Sequence, residues 1–179
     1  MSSPRRLLVA GGLGLAALGM LYGLHYALFI EHETLGRMGG SLAQAFVSAA
    51  QRNTAEAHGA VAAYASTKYD YVRRVDVHSH WIGLAMLLIL VGAAFDGVAF
   101  SERSRTWIAV GLLAGSFAFP LGVILETMNH DATFASGIAI LGAVTVTMAL
   151  AATAWGVVRG AGAEERVPGK LVEPRSSTS

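Results

Sequence analysis

At 179 residues, 54% hydrophobic and 14% charged, the chain has little more than half the ~25% charge of a soluble domain, and its mean hydropathy is +0.51. A formal net charge of +1 leaves no basic face for neutralising phosphates, which excludes nucleic acid as a partner. The lack of cysteine excludes disulfides, cysteine-held iron–sulfur clusters, thiolate metal sites and covalent c-type haem.

Crossing a ~30 Å hydrocarbon core takes about 20 mostly apolar residues in a helix. The first segment that qualifies is about 7–30, without Asp, Glu, Lys or Arg. Arg5 and Arg6 ahead of an apolar run also fit a cleaved leader. The run is longer than a leader's ~7–15 residue apolar region and no small-x-small site follows, so a retained anchor is expected.

The connection 31–77 is charged, yet 41–65 is rich in Ala and sets Leu42, Phe46, Ala50, Ala57 and Val61 near one face at helical spacing. Gly39-Gly40 reads as a break before it. One or two helices lying on the membrane surface or capping the bundle are expected here. Tyr69, Tyr71, Arg73 and Arg74 follow, residue types that favour the interface.

The second span is expected at about 81–100 and holds one acid, Asp96. Asp96 is expected to snorkel toward Arg103 or Arg105, a proton-input role being the sharper alternative. The third span, about 107–125, contains Gly111-x-x-x-Gly115, a small-xxx-small packing pattern. Pro120 within it predicts a kink and a freed carbonyl. The fourth span is about 133–158, and 160–179, with Pro168, Pro174 and a Ser/Thr end, reads as a disordered tail. The predicted architecture is an all-α integral membrane four-helix bundle over 1–159 with a helical outer connection.

Basic residues flank three helix ends that lie on one side: Arg5 and Arg6, Arg103 and Arg105, Arg159 and Arg166. The short 127–132 loop has none. The positive-inside rule then puts both termini in the cytoplasm of a cell inner membrane and 31–77 outside.

All six histidines fall toward that outer side: His25, His32, His58, His78, His80 and His130. His25 lies within an apolar segment, where an ionisable group is a functional hypothesis by default. His78 and His80 stand about 200° apart around a helix, so which one points inward is left open. Glu126 and His130 share a face if their helix continues. Three readings compete. The histidines can ligate a b-type haem, with Arg73 or Arg74 meeting the propionates. They can join Glu126 or neighbouring acids in a copper, iron or zinc site. Or they can be polar groups at helix ends in a subunit that packs against larger membrane partners or a second copy of itself.

The stretch Val77-His78-Ser79-His80-Trp81-Ile82-Gly83-Leu84 resembles the His-x-His helix start of small respiratory-membrane proteins related to the haem-binding core subunit of haem-copper oxidases and nitric oxide reductases. The resemblance implies a haem-ligand role for His78 or His80 and a place in electron transfer or in a respiratory complex. It does not carry oxygen or nitric oxide reduction, because four helices replace twelve and the further His cluster is missing. The resulting expectation is a haem b near the outer face, with His25, His80 and His130 as leading ligands and His78 as the alternate. The metal-site set adds Glu126. A transporter is the third class, and it lacks the paired midplane Gly/Pro interruptions such sites use.

Overall fold

The structure, a computed structural model, describes residues 2–128 and 133–164, with side chains through residue 160. All secondary structure among the described residues is helical: α1 (Ser3–Phe29), α2 (Glu31–Ala50), α3 (Thr54–Ala94), a 3₁₀ turn (Phe95–Gly97), α4 (Glu102–Met128) and α5 (Thr133–Glu164). Four helices are long and apolar enough to cross a bilayer: α1, α3, α4 and α5. By length and composition this is a membrane protein.

The connection between the first two spans differs from the expected surface helices. Helical hydrogen bonding runs on through Ile30, whose amide bonds Tyr26 O (2.9 Å) and whose carbonyl accepts from Thr34 N (3.0 Å). Ile30 has φ −122°, so α1 and α2 form one long rod with a bend there. Gly39 and Gly40 do not break it: they lie within α2. The chain reverses at Gln51-Arg52-Asn53. Arg52 takes the left-handed conformation (φ 59°), and Asn53 caps α3 through its Oδ1, which accepts from Glu56 N (3.3 Å).

From there α3 runs unbroken for 41 residues, about 60 Å at 1.5 Å per residue. That is twice a hydrocarbon core, so the first half of α3 pairs with α2 as a hairpin projecting from the ends of the spans. His78 and His80 therefore lie in mid-helix rather than at a helix start. The hairpin closes through small residues, Ala45 and Ser48 being buried, and Gln44 Nε2 donates across it to Glu56 Oε1 (2.7 Å).

The spans pack mainly as α1 on α3 and α4 on α5, with lesser contacts of α4 to α3 and α1. Of the helical elements among the described residues, α5 touches only α4 and the 3₁₀ turn. The arrangement is thus a triangle of α1, α3 and α4 with α5 on its outside, rather than a closed ring of four.

Three glycines let α4 and α5 meet backbone to backbone. A Cβ at Gly122 would strike the Ala139 backbone; one at Gly142 would lie 2.5 Å from Phe119 N, and one at Gly115 2.8 Å from Gly142 O. Of the Gly111-x-x-x-Gly115 pair only Gly115 is needed, since a Cβ at Gly111 would meet Thr145 at an ordinary 3.8 Å. Helix α4 stays α-helical through Pro120. Proline has no N–H for the Ser116 carbonyl, and Ser116 Oγ, fully buried beside it, lacks a partner too.

At the end opposite the hairpin, Asp96 is tied to the N-terminus. Arg5 Nη1 donates to its Oδ2 (2.9 Å) and Ser2 Oγ to its Oδ1 (2.5 Å). Of the expected neighbours Arg103 and Arg105, Arg105 is indeed beside Asp96, but the carboxylate is held by Arg5 and Ser2. Arg105 instead reaches the Asp96 backbone carbonyl (3.4 Å) and the Glu102 carboxylate (2.6 Å). The 3₁₀ turn leads into a strap held on α5 by Ala99 N donating to Gly156 O (3.1 Å). Residue 160, expected to begin a disordered tail, is inside α5; residues 165–179 lie outside the described part.

Candidate functional site

The sequence-derived site residues gather where the hairpin leaves the spans, but their side chains turn to different neighbours. His78 faces α1: its Nδ1 lies 2.8 Å from Gly19 O, and its ring fills the space where Gly23 would carry a Cβ, 2.5 Å away. A carbonyl only accepts, so Nδ1 is the donating nitrogen and Nε2 is not used in this contact. His80 faces α4. Its Nδ1 donates to Asp76 O one turn back (2.7 Å), and its ring meets Phe119 edge-on (4.9 Å between centroids). The 200° offset between the two is thereby divided between α1 and α4.

His25 is exposed on the surface of α1 against Phe29, one turn on in the same helix (5.3 Å). His130, with Asp131, lies outside the described residues. His32 and His58 are exposed on the hairpin. Among the described residues no group of three His, Cys, Asp or Glu side chains is arranged to hold a metal ion.

The arginines separate in the same way. Arg73 pairs with Glu126 of α4 (3.6 Å), and its Nε donates to the Tyr69 hydroxyl (3.1 Å), the guanidinium lying 5.2 Å from the Tyr69 ring centroid. Glu126, offered by the sequence as a ligand, a His130 partner or a hydrated acid, is thus an ion-pair acceptor joining α4 to α3. Arg74 turns instead toward α2, where it lines a small polar cavity with Thr34, Arg37, Thr67, Asp70 and Tyr71.

Sequence reasoning did not single out the aromatic column between α1 and α3. Trp81 is buried and meets Tyr22 edge-on (5.5 Å), and Tyr26 packs on Tyr71 (6.3 Å). Its signal was the spacing Tyr22–Tyr26 and Tyr71–Trp81, aromatic residues near span ends on both helices. No protein-family model, curated protein or solved structure matches this chain.

Proposed function

We propose that this is an accessory subunit of the cell inner membrane, whose outer hairpin docks on a larger membrane-protein partner or on a second copy of the chain. The placement follows from Arg5, Arg6, Arg103, Arg105 and Arg159 lying at the end away from the hairpin, which the positive-inside rule assigns to the cytoplasm. One observation carries the reading. The hairpin is a direct continuation of two spans, and it leaves large apolar side chains uncovered well beyond the ends of the spans: Phe46 is 70% exposed, with Val47 and Val61 about half exposed. Apolar side chains clustered outside the lipid mark interaction surfaces. A lone pair of helices of this length buries too little to do without a partner.

The test is photo-crosslinking in cells from a reactive residue at Phe46, with one at Lys68 for comparison. A discrete adduct at Phe46, of defined mass and weak or missing at Lys68, is expected. No adduct from Phe46, with a monodisperse monomer in detergent, would sink the reading.

A second reading keeps the histidines in chemistry: a b-type haem, or a copper, iron or zinc ion, bound near the outer face for electron transfer in a respiratory complex. It is supported by His78 and His80 each committing Nδ1 to a backbone carbonyl. That leaves Nε2 as the metal-binding nitrogen, the usual outer-shell arrangement of a ligating imidazole. A visible spectrum and metal analysis of the purified protein decide it. A reduced b-type band lost in His80→Ala favours this reading, and a colourless, metal-free preparation removes it.

A further inference from the structure

Helix α1 runs on into α2 with one side exposed throughout, and that side repeats every seven residues. Leu18, His25, His32, Gly39 and Phe46 stand seven apart, and all five are exposed. Gly14, Leu21, Leu28, Leu35, Leu42 and Ala49 form a second exposed series of the same period. The two series alternate at steps of four and three, the a and d positions of a coiled coil. The bend at Ile30 does not disturb them. Tyr26 before it and Thr34 after it are buried, while Leu28 and His32 stay outward.

Lipid alone does not account for this seam, because it starts within a span and ends at the hairpin tip. At its membrane end, Gly14 and Leu18 belong to the α1 side of a groove of about 460 Å³, walled on the other side by Val110, Leu113, Ala114 and Phe117 of α4. A Cβ at Gly14 or Gly39 would meet nothing within 4 Å, so contacts inside the chain require neither glycine. Midway, His25 turns its imidazole outward from an apolar span, a costly placement unless protein covers it.

Whatever covers the seam along its whole length must itself pass from the membrane into the hairpin as a helix, and α1–α2 does so. A closed pair of copies in one membrane has its two-fold axis along the membrane normal, which sets α1–α2 beside its own image, parallel and in register. Each a residue then faces itself. That suits His25 and His32, since a neutral imidazole carries one donor and one acceptor and two of them can bond each other. A polar a position also fixes register. No Asp, Glu, Lys or Arg lies in the seam, so the pairing opposes no like charges. From residue 14 to residue 49 the seam is about 52 Å long and one ~10 Å helix wide, roughly 500 Å² on each copy. The total of about 1,000 Å² reaches the size of specific interfaces before the α4 wall is added.

We propose that two copies pair along α1–α2 as a parallel coiled coil, the membrane half of each seam seated in the groove beside the other copy's α4. A strict heptad drifts by about 20° per repeat on a straight helix, so the paired rods wind left-handedly. The proposal rests on the docking role above and names its partner as the chain itself.

Cysteine crosslinking in native membranes reads the seam directly, since the chain has no cysteine of its own. Gly39 and Gly40 are exposed neighbours, each with open space where a Cβ would sit, but only Gly39 is on the seam. Leu28 and Ala27 make a second such pair, both exposed. Under mild oxidation, Gly39→Cys and Leu28→Cys should give a band at twice the 18.7 kDa chain mass. It should be at least fivefold stronger than from Gly40→Cys or Ala27→Cys. Adding Leu42→Glu, which sets two carboxylates face to face, should cut the Gly39→Cys band at least fivefold. If that variant loses helicity, the two cysteine contrasts still decide.

Equal bands at adjacent positions, or no band at either seam position, overturn the proposal. So do bands that form only when two different cysteine variants are mixed, since the contact is then not two-fold. Failure of the docking role shows separately. With no seam band, a Phe46 photo-adduct to a protein of another mass leaves docking standing with a different partner, and no adduct removes both.

Discussion

His78 and Gly23 form a matched pair, because the ring occupies the volume that any side chain at residue 23 would need. Gly23→Val should therefore expel the ring from Gly19 O, combining overpacking of about 1–3 kcal/mol with the loss of a hydrogen bond worth about 1 kcal/mol. Thermal unfolding in detergent checks it: the single variant should melt lower, and adding His78→Ala should recover part of the loss. Additive losses in the double variant would show that the two residues do not share this space. Ser116 points the other way. A buried hydroxyl without a partner costs about 1–3 kcal/mol, so Ser116→Ala should melt at or above the wild-type temperature, and a clear drop would mean that the hydroxyl is satisfied. That His78 and His80 diverge was legible in their spacing, whereas the outward turn of His25 was not. In an apolar helix the lipid side and the packed side carry the same kinds of residue, so the pattern that fixes the inner face of a soluble amphipathic helix is missing. The orientation of His25 is set instead by Gly19, Gly23 and Tyr26 meeting α3.

At the scale of single elements, the apolar runs marked the spans well, and the structure moved their limits chiefly where a helix continued into water. Charged residues in 52–76 looked like a connection because a span ends where charge begins. An α-helix has no reason to stop at that boundary, since its hydrogen bonds are internal on both sides of it. The Gly39-Gly40 pair misled for a related reason. Glycine costs about 1 kcal/mol per residue in a helix, which the packing of α2 along α3 offsets. The real reversal, at Arg52, carries no glycine at all. A non-glycine residue in the left-handed region costs roughly 1–2 kcal/mol, so Arg52→Gly should stabilise the hairpin despite glycine's greater freedom when unfolded. Hydrogen exchange across residues 45–60 should slow in that variant. Faster exchange would mean that the Arg52 side chain contributes more than its backbone costs. The α4–α5 contact is sharper still: Gly142→Leu places a side chain against the Phe119 backbone, where no rotamer change relieves it. Because α5 packs chiefly on α4, with the turn and strap at its far end, the variant should loosen α5, seen as faster hydrogen exchange across residues 135–150.

For the whole molecule, the consequence of two spans running on into the hairpin is that its two ends are mechanically joined. The Arg5–Asp96 contact at one end and the Arg52 turn at the other belong to the same pair of helices, so sidedness decides what each can meet. If the hairpin is outside, its exposed Phe46 and Val61 face partners beyond the membrane, and if it is inside they face the cytoplasm. The chain has no cysteine, so single cysteines report sidedness without background. Ala55→Cys, exposed beside the turn, and Ser101→Cys, exposed in the strap between the 3₁₀ turn and α4, are suitable positions. Ser101 Oγ also accepts from Ser104 N (3.2 Å) at the start of α4, a cap that a thiol keeps only weakly. A membrane-impermeant maleimide applied to intact spheroplasts should label Ala55→Cys at once and Ser101→Cys only after the membrane is opened. The reverse pattern would turn the molecule over, contradict the weight given to Arg103, Arg105 and Arg159, and leave the hairpin to be matched with cytoplasmic partners instead.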